Sequence, residues 1–172
     1  MMILLWDVIM RKPVLFLALL VPILSYAALG GNPPLLKELK TKKQFTANVS
    51  SSNITYSREV KANYVTYTSI NGTCQIKQFA TLETSANGSK VFAVLWHCPI
   101  TPNLKELLTD EYFTILRTTQ PQINTLNYKK YVTSNVVIEL SGHQGDSRGN
   151  AYLIKQIPNN VNIKELLNNE KI

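Results

Sequence analysis

Two Asn-Gly dipeptides, Asn71-Gly72 and Asn87-Gly88, constrain this chain more than any other feature. In the favoured two-residue hairpin both central residues take positive φ, which Asn and Gly tolerate best, so each dipeptide marks a chain reversal. The flanking residues suit strands. Residues 54–70 are rich in Tyr, Val and Thr, which pack well on a pleated surface. Residues 74–83 set Cys74, Ile76, Ala80 and Leu82 on one face and Gln75, Lys77, Thr81 and Glu83 on the other, with Phe79 interrupting the polar side. Residues 91–96 are apolar on both faces, as in a covered central strand. These three segments predict an antiparallel meander.

The pattern then changes period. Thr101 can cap a helix with Pro102 in its first turn, and Leu104, Leu107, Leu108, Tyr112 and Ile115 recur at helical spacing. An amphipathic helix over residues 102–116 is expected, packed on the sheet. Residues 120–134 read as a polar connection, 135–140 as a strand, 141–149 as a Gly-rich loop and 150–157 as a further strand. Residues 161–167 can close the fold with a helical turn. The expected class is α+β, in the order β-β-β-α-β-β, with about five antiparallel strands and one helix on a face.

Ahead of this domain stands an export signal. Arg11 and Lys12 precede a charge-free run over residues 14–24, followed by Ser25, Tyr26 and Ala27. A positive start, a short apolar run and small residues at −3 and −1 make a secretory signal peptide, with cleavage expected after Ala27. The run is shorter than the roughly 20 residues that span a bilayer, and Pro22 breaks it, so a transmembrane anchor is disfavoured. Met10 could serve as the start instead of Met1. The expected division is a signal peptide over 1–27, a flexible or contact-ordered arm over 28–53, and one α+β domain over 54–168. The expected destination is periplasmic or secreted, with no transmembrane span after cleavage.

Charge then enters the argument. The formal net charge is +7, of which Arg11, Lys12 and Asp7 carry one, leaving about six on the processed protein. Lys37, Lys40, Lys42 and Lys43 form the only local cluster. A basic balance raises the case for anionic partners. Export and the lack of any recognition-module motif argue against nucleic acid, and favour an envelope protein or an anionic envelope polymer. The four sequons at Asn48, Asn53, Asn71 and Asn87 follow from a high Asn content.

A family resemblance rests on several short motifs in a shared order. These are Ala28-Leu29-Gly30-Gly31, the run from Gly88 to Trp96, Pro99, and Pro102-Asn103-Leu104 followed by Leu107-Leu108. Tyr112-Phe113, Ser141-Gly142-His143 and Gly149-x-Ala151-Tyr152-Leu153 complete them. The chain resembles the exported bacterial family of uncharacterised proteins called domain of unknown function 2844. Cys98 stands where the family usually has Gly, and Asn103 where it usually has Asp. The resemblance implies export and a compact domain, and it implies no activity.

Candidate chemistry is sparse. His143, Asp146 and Arg148 share the Gly-rich loop, and a His beside a carboxylate could act as a general base. The competing reading is turn geometry at Gly142, Gly145 and Gly149, with solvated charges. His97 and Cys98 are adjacent, but neighbouring strand residues point to opposite faces, so they do not form a nucleophile pair. His97 and His143 could meet across the sheet, yet two histidines alone make a weak metal site, and no metal or other cofactor is expected. Trp96, Phe92 and Tyr112 read as core, although Trp96, His97, His143 and Arg148 are also candidates for partner contact.

A two-residue turn at Asn87-Gly88 would set Cys98 opposite Lys77, about 10 Å along the strand from Cys74. That register disfavours a Cys74–Cys98 disulfide unless a bulge or longer turn closes the gap. The chain has no nucleophile elbow, P-loop, dinucleotide fingerprint or zincin helix. The reading therefore leans away from an enzyme without deciding it. The first expectation is a non-enzymatic envelope binding or interaction module; the alternative is a small periplasmic hydrolase or transferase using His143 and Asp146.

Overall fold

The computed structural model describes residues 28–33, 45–49, 52–82 and 88–170. The proposed signal peptide, the basic cluster at 37–43 and Asn87 lie outside them. Among the described residues, nine strands form one antiparallel sheet. The first five run as a meander: β1 Phe45–Val49, β2 Ser52–Val60, β3 Val65–Asn71, β4 Cys74–Ala80 and β5 Val91–Cys98. Helix α1, Leu104–Thr118, then carries the chain to the far edge. A second meander returns through β6 Ile123–Asn124, β7 Tyr128–Val132, β8 Val136–His143 and β9 Asp146–Leu153. The two meanders join where β9 pairs with β5, Leu95 opposite Asn150. A 3₁₀ turn, Ile154–Gln156, leads to α2, Ile163–Asn169.

The expected five-strand, one-helix α+β fold is thus corrected to a predominantly β one. Residues 54–70 are two strands, reversing where the Lys61 N–H bonds the Tyr64 carbonyl, a turn with no Gly to announce it. The connection expected over 120–134 contains β6 and β7. The expected Gly-rich loop is mostly paired: only Gln144 and Gly145 separate β8 from β9. Residues 28–53 place Leu29 in the core, fully buried, and contribute β1 and the start of β2. Gly30 and Gly31 exchange backbone hydrogen bonds with Val91.

Alternation along the strands divides the core between two faces. One face packs Val94, Trp96, Ile138 and Ala151 against Leu107 and Leu108 of α1 and against Leu29. The other packs Phe79, Phe92 and Ala93 under Leu166 of α2, with Tyr64 edge-on to both phenyl rings. The helices therefore lie on opposite sides of the sheet. Asn162 caps α2 by accepting from the Glu165 N–H. Lys77 ties its far end to the sheet through Glu170, 2.8 Å away.

Helix α1 differs from expectation in its start and its course. Asn103 occupies the cap position without a side-chain capping bond. Thr101 instead bonds the Ser147 hydroxyl at 2.9 Å. The helix kinks at Thr109, whose φ is 64°.

Cys74 and Cys98 are joined in a disulfide, with Cα atoms 4.0 Å apart. The tight-turn register is overturned for two reasons. Thr81 pairs with Lys90, so the connection is far longer than two residues. An extra residue also enters β5 near Phe92, where Phe79 faces Ala93 but Ala80 faces Val91. Gln75 then lies opposite His97, which brings the cysteines together.

Candidate functional site

Beyond the patch covered by α2, one face of the second meander is left open by the described residues. Its residues form two rows across the strands. His97 of β5, Arg148 of β9, Ser141 of β8 and Tyr128 of β7 make one row. Leu95, Asn150, Glu139 and Lys130 make the next. Tyr152 closes the floor, and Lys164, Leu167 and Asn168 of α2 form a wall. Together they bound a cleft of about 410 Å³.

Two polar clusters occupy this face. In the first, Glu139 accepts from Lys130 Nζ at 2.9 Å and from Asn150 Nδ2 at 3.4 Å. The bond to Glu139 holds the Lys130 ammonium above its ordinary pKa. Burial raises the Tyr128 and Tyr152 hydroxyls, with the Glu139 charge adding to both, so both phenols are neutral donors at physiological pH. Asn150 Oδ1 is buried and accepts no hydrogen bond from any described residue.

Asp146 organises the second cluster. It accepts from Arg148 Nε at 3.0 Å and stands 2.8 Å from His97 Nε2. The Arg148 bond, followed by the His97 contact, holds its carboxyl below the ordinary range. His143 Nε2 stays 3.9 Å away and its side chain is 69% exposed; its Nδ1 lies 3.0 Å from the Gln144 carbonyl. Of the His143, Asp146 and Arg148 grouping read from the loop, the structure brings together Asp146 and Arg148, and places His97 where His143 was expected. Cys98 points to the other face from His97, into the disulfide. Among the described residues no three His, Cys, Asp or Glu side chains are grouped to hold a metal ion.

Trp96 is 1% exposed and lies in the core over Gly149, where a Cβ would overlap the indole. Phe92 is likewise buried, and Tyr112 packs at the core edge. The indole also backs a second hollow of about 350 Å³ around the β8–β9 hairpin, where Leu126, Thr101 and His143 form part of the rim. Sequence reasoning missed Tyr128, Lys130, Glu139, Asn150 and Lys164. Their signal was polar residues alternating with apolar ones, Glu139 and Ser141 alternating with Ile138 and Leu140 for instance, but Lys130 belonged to no expected strand.

Among the described residues no helix is long and apolar enough to cross a membrane. Comparison with curated proteins and with solved structures returns no match. The family comparison does: a model described as "Protein of unknown function (DUF2844)" matches residues 25–166. The resemblance carried by the Ala28–Gly31, Gly88–Trp96 and Ser141–His143 motifs is thereby established, and the chain belongs to the DUF2844 family.

Proposed function

We propose that this protein is exported, loses its leader after Ala27, and acts in the periplasm or outside the cell as a non-enzymatic binding module whose working surface is the open sheet face. The observation that carries the reading is the cleft itself. Its floor is a row of strand-held polar side chains already fixed by one another, Lys130 and Asn150 on Glu139 and Arg148 on Asp146. Sites built on strands hold their geometry better than sites on loops. The hydrolase alternative needs His143 to work with Asp146, and the 3.9 Å separation and solvent-facing imidazole do not support that pairing.

The Cys74–Cys98 bridge supports export, because disulfides persist in oxidising compartments and are rare in the cytosol. Fractionation of cells expressing the full chain tests the address. Amino-terminal sequencing should read Ala-Leu-Gly-Gly from an extracytoplasmic fraction, and retention of the leader in the cytosol would defeat it. For binding, soluble envelope polymers added to isotope-labelled protein should shift amide signals of β8, β9 and α2. If no envelope fraction moves them, the binding reading fails.

A further inference from the structure

We infer that the sheet-face cleft takes an acidic saccharide, a sugar chain carrying carboxylates; the inference rests on the binding reading above and names its ligand. The argument begins with what the cleft offers. Lys130 and Arg148 present donors, Glu139 and the Ser141 hydroxyl present acceptors, and all four are held on adjacent strands. A sugar hydroxyl donates and accepts at once, so it can bridge such a mosaic where a ligand with only one role cannot.

Charge sets the second limit. Glu139 and Asp146 put two carboxylates at this face, which repel a densely charged polyphosphate or nucleic acid backbone. Lys130, Arg148 and Lys164 exceed them by one positive charge. That balance suits a widely spaced anion, about one carboxylate per sugar ring, engaged by the α2 wall at Lys164 or by the part of the Arg148 guanidinium not bonded to Asp146. Charge-assisted bonds of this kind are the stronger ones. Tyr128 and Tyr152 supply the remaining element, rings with an apolar body and a neutral polar tip, against which the C–H face of a sugar can lie.

Nuclear magnetic resonance titration of the disulfide-bonded protein, purified after expression of the full chain, tests this. The probes are a galacturonate tetramer, the same tetramer with its carboxylates reduced to alcohols, and inorganic polyphosphate. The galacturonate should give saturable shifts confined to β7, β8, β9 and α2, with the reduced tetramer binding at least about fivefold more weakly. Lys164→Ala and Ser141→Ala should each weaken binding, the former about tenfold, a loss of about 1.4 kcal/mol. Lys164 is a surface position on α2, so its variant reports on binding even if Ser141→Ala perturbs the β8–β9 pairing.

Shifts from polyphosphate alone, equal binding of the two tetramers, or indifference to Lys164→Ala would each overturn the inference. If no saccharide binds but an envelope peptide fraction moves the same signals, the saccharide assignment falls and the binding reading stands.

Discussion

A side chain at position 149 has nowhere to go. The Trp96 indole lies on the Gly149 backbone on one side, and the Glu139 carbonyl crowds the same space. The glycine is therefore part of the core, since it lets the largest fully buried side chain lie flat against the β5–β9 junction. Gly149→Ala should cost about 2–3 kcal/mol through overpacking, read as a lower midpoint in urea, and an unchanged midpoint would mean the indole rests elsewhere. The sequence marks this glycine only as one of three in a loop, because its partner lies 53 residues earlier and on another strand. Trp96 itself was legible as core, being one apolar residue in a run apolar on both faces. His97 was legible as a candidate but not as Asp146's neighbour. That contact depends on the β5–β9 register, which no local pattern encodes.

Elements with a local signal were read closest to their observed places. β4 and β5 carry clear alternation or continuous apolar runs, and α1 has a stripe of leucines. β2 and β3 fused in the reading because Ala62-Asn63 turns the chain without Gly or Pro. β6 and β7 were lost because residues such as Asn124, Lys129 and Lys130 read as connection, although β7 is fixed by pairing with β8 and β6 by pairing with β7. Within α1, Thr109 takes a positive φ that a β-branched residue adopts only under strain, costing about 1–3 kcal/mol. Thr109→Gly should recover about 1 kcal/mol of that after glycine's own entropic cost, seen as a higher thermal midpoint; a lower one would show that the kink needs the threonine. The β8–β9 hairpin makes its own prediction through Asp146. Its native pKa is depressed, with Arg148 the first cause, so acid protonates the unfolded chain first. Its contribution to stability is present above the ordinary carboxylate range near 3.9 and is lost as pH falls through the lower native value. Carbon NMR of the Asp146 carboxyl should show a midpoint below the ordinary one, moving up in Arg148→Ala; an ordinary midpoint in the parent would mean the hairpin cluster is not formed.

For the molecule as a whole, the order of strands matters more than their number. The chain lays down one meander, crosses on α1 to the far edge, and returns until β9 meets β5, so the central pairing joins residues as distant as Ala93 and Tyr152. Composition and periodicity carry no trace of that closure, which is why a five-stranded sheet was the natural reading. The closure puts the covered strands β5 and β9 in the middle and leaves the polar rows of β7 and β8 on the open face, so the topology itself creates the cleft. The disulfide sits at the same seam. It ties β4 to β5 across a sequence separation of 24 residues, at the end of β5 where Cys98 faces Ser147 of β9. Closing a loop of that length in the unfolded chain should stabilise the fold by about 3 kcal/mol on the chain-entropy account. The double variant Cys74→Ala/Cys98→Ala should lose about that much in urea denaturation while still folding, because the sheet on both sides is intact. The oxidised parent should show no reactive thiol when unfolded without reductant and two when unfolded with it. Two thiols without reductant would mean the cysteines are unbonded, and would also remove the support that the bridge lends to an oxidising compartment.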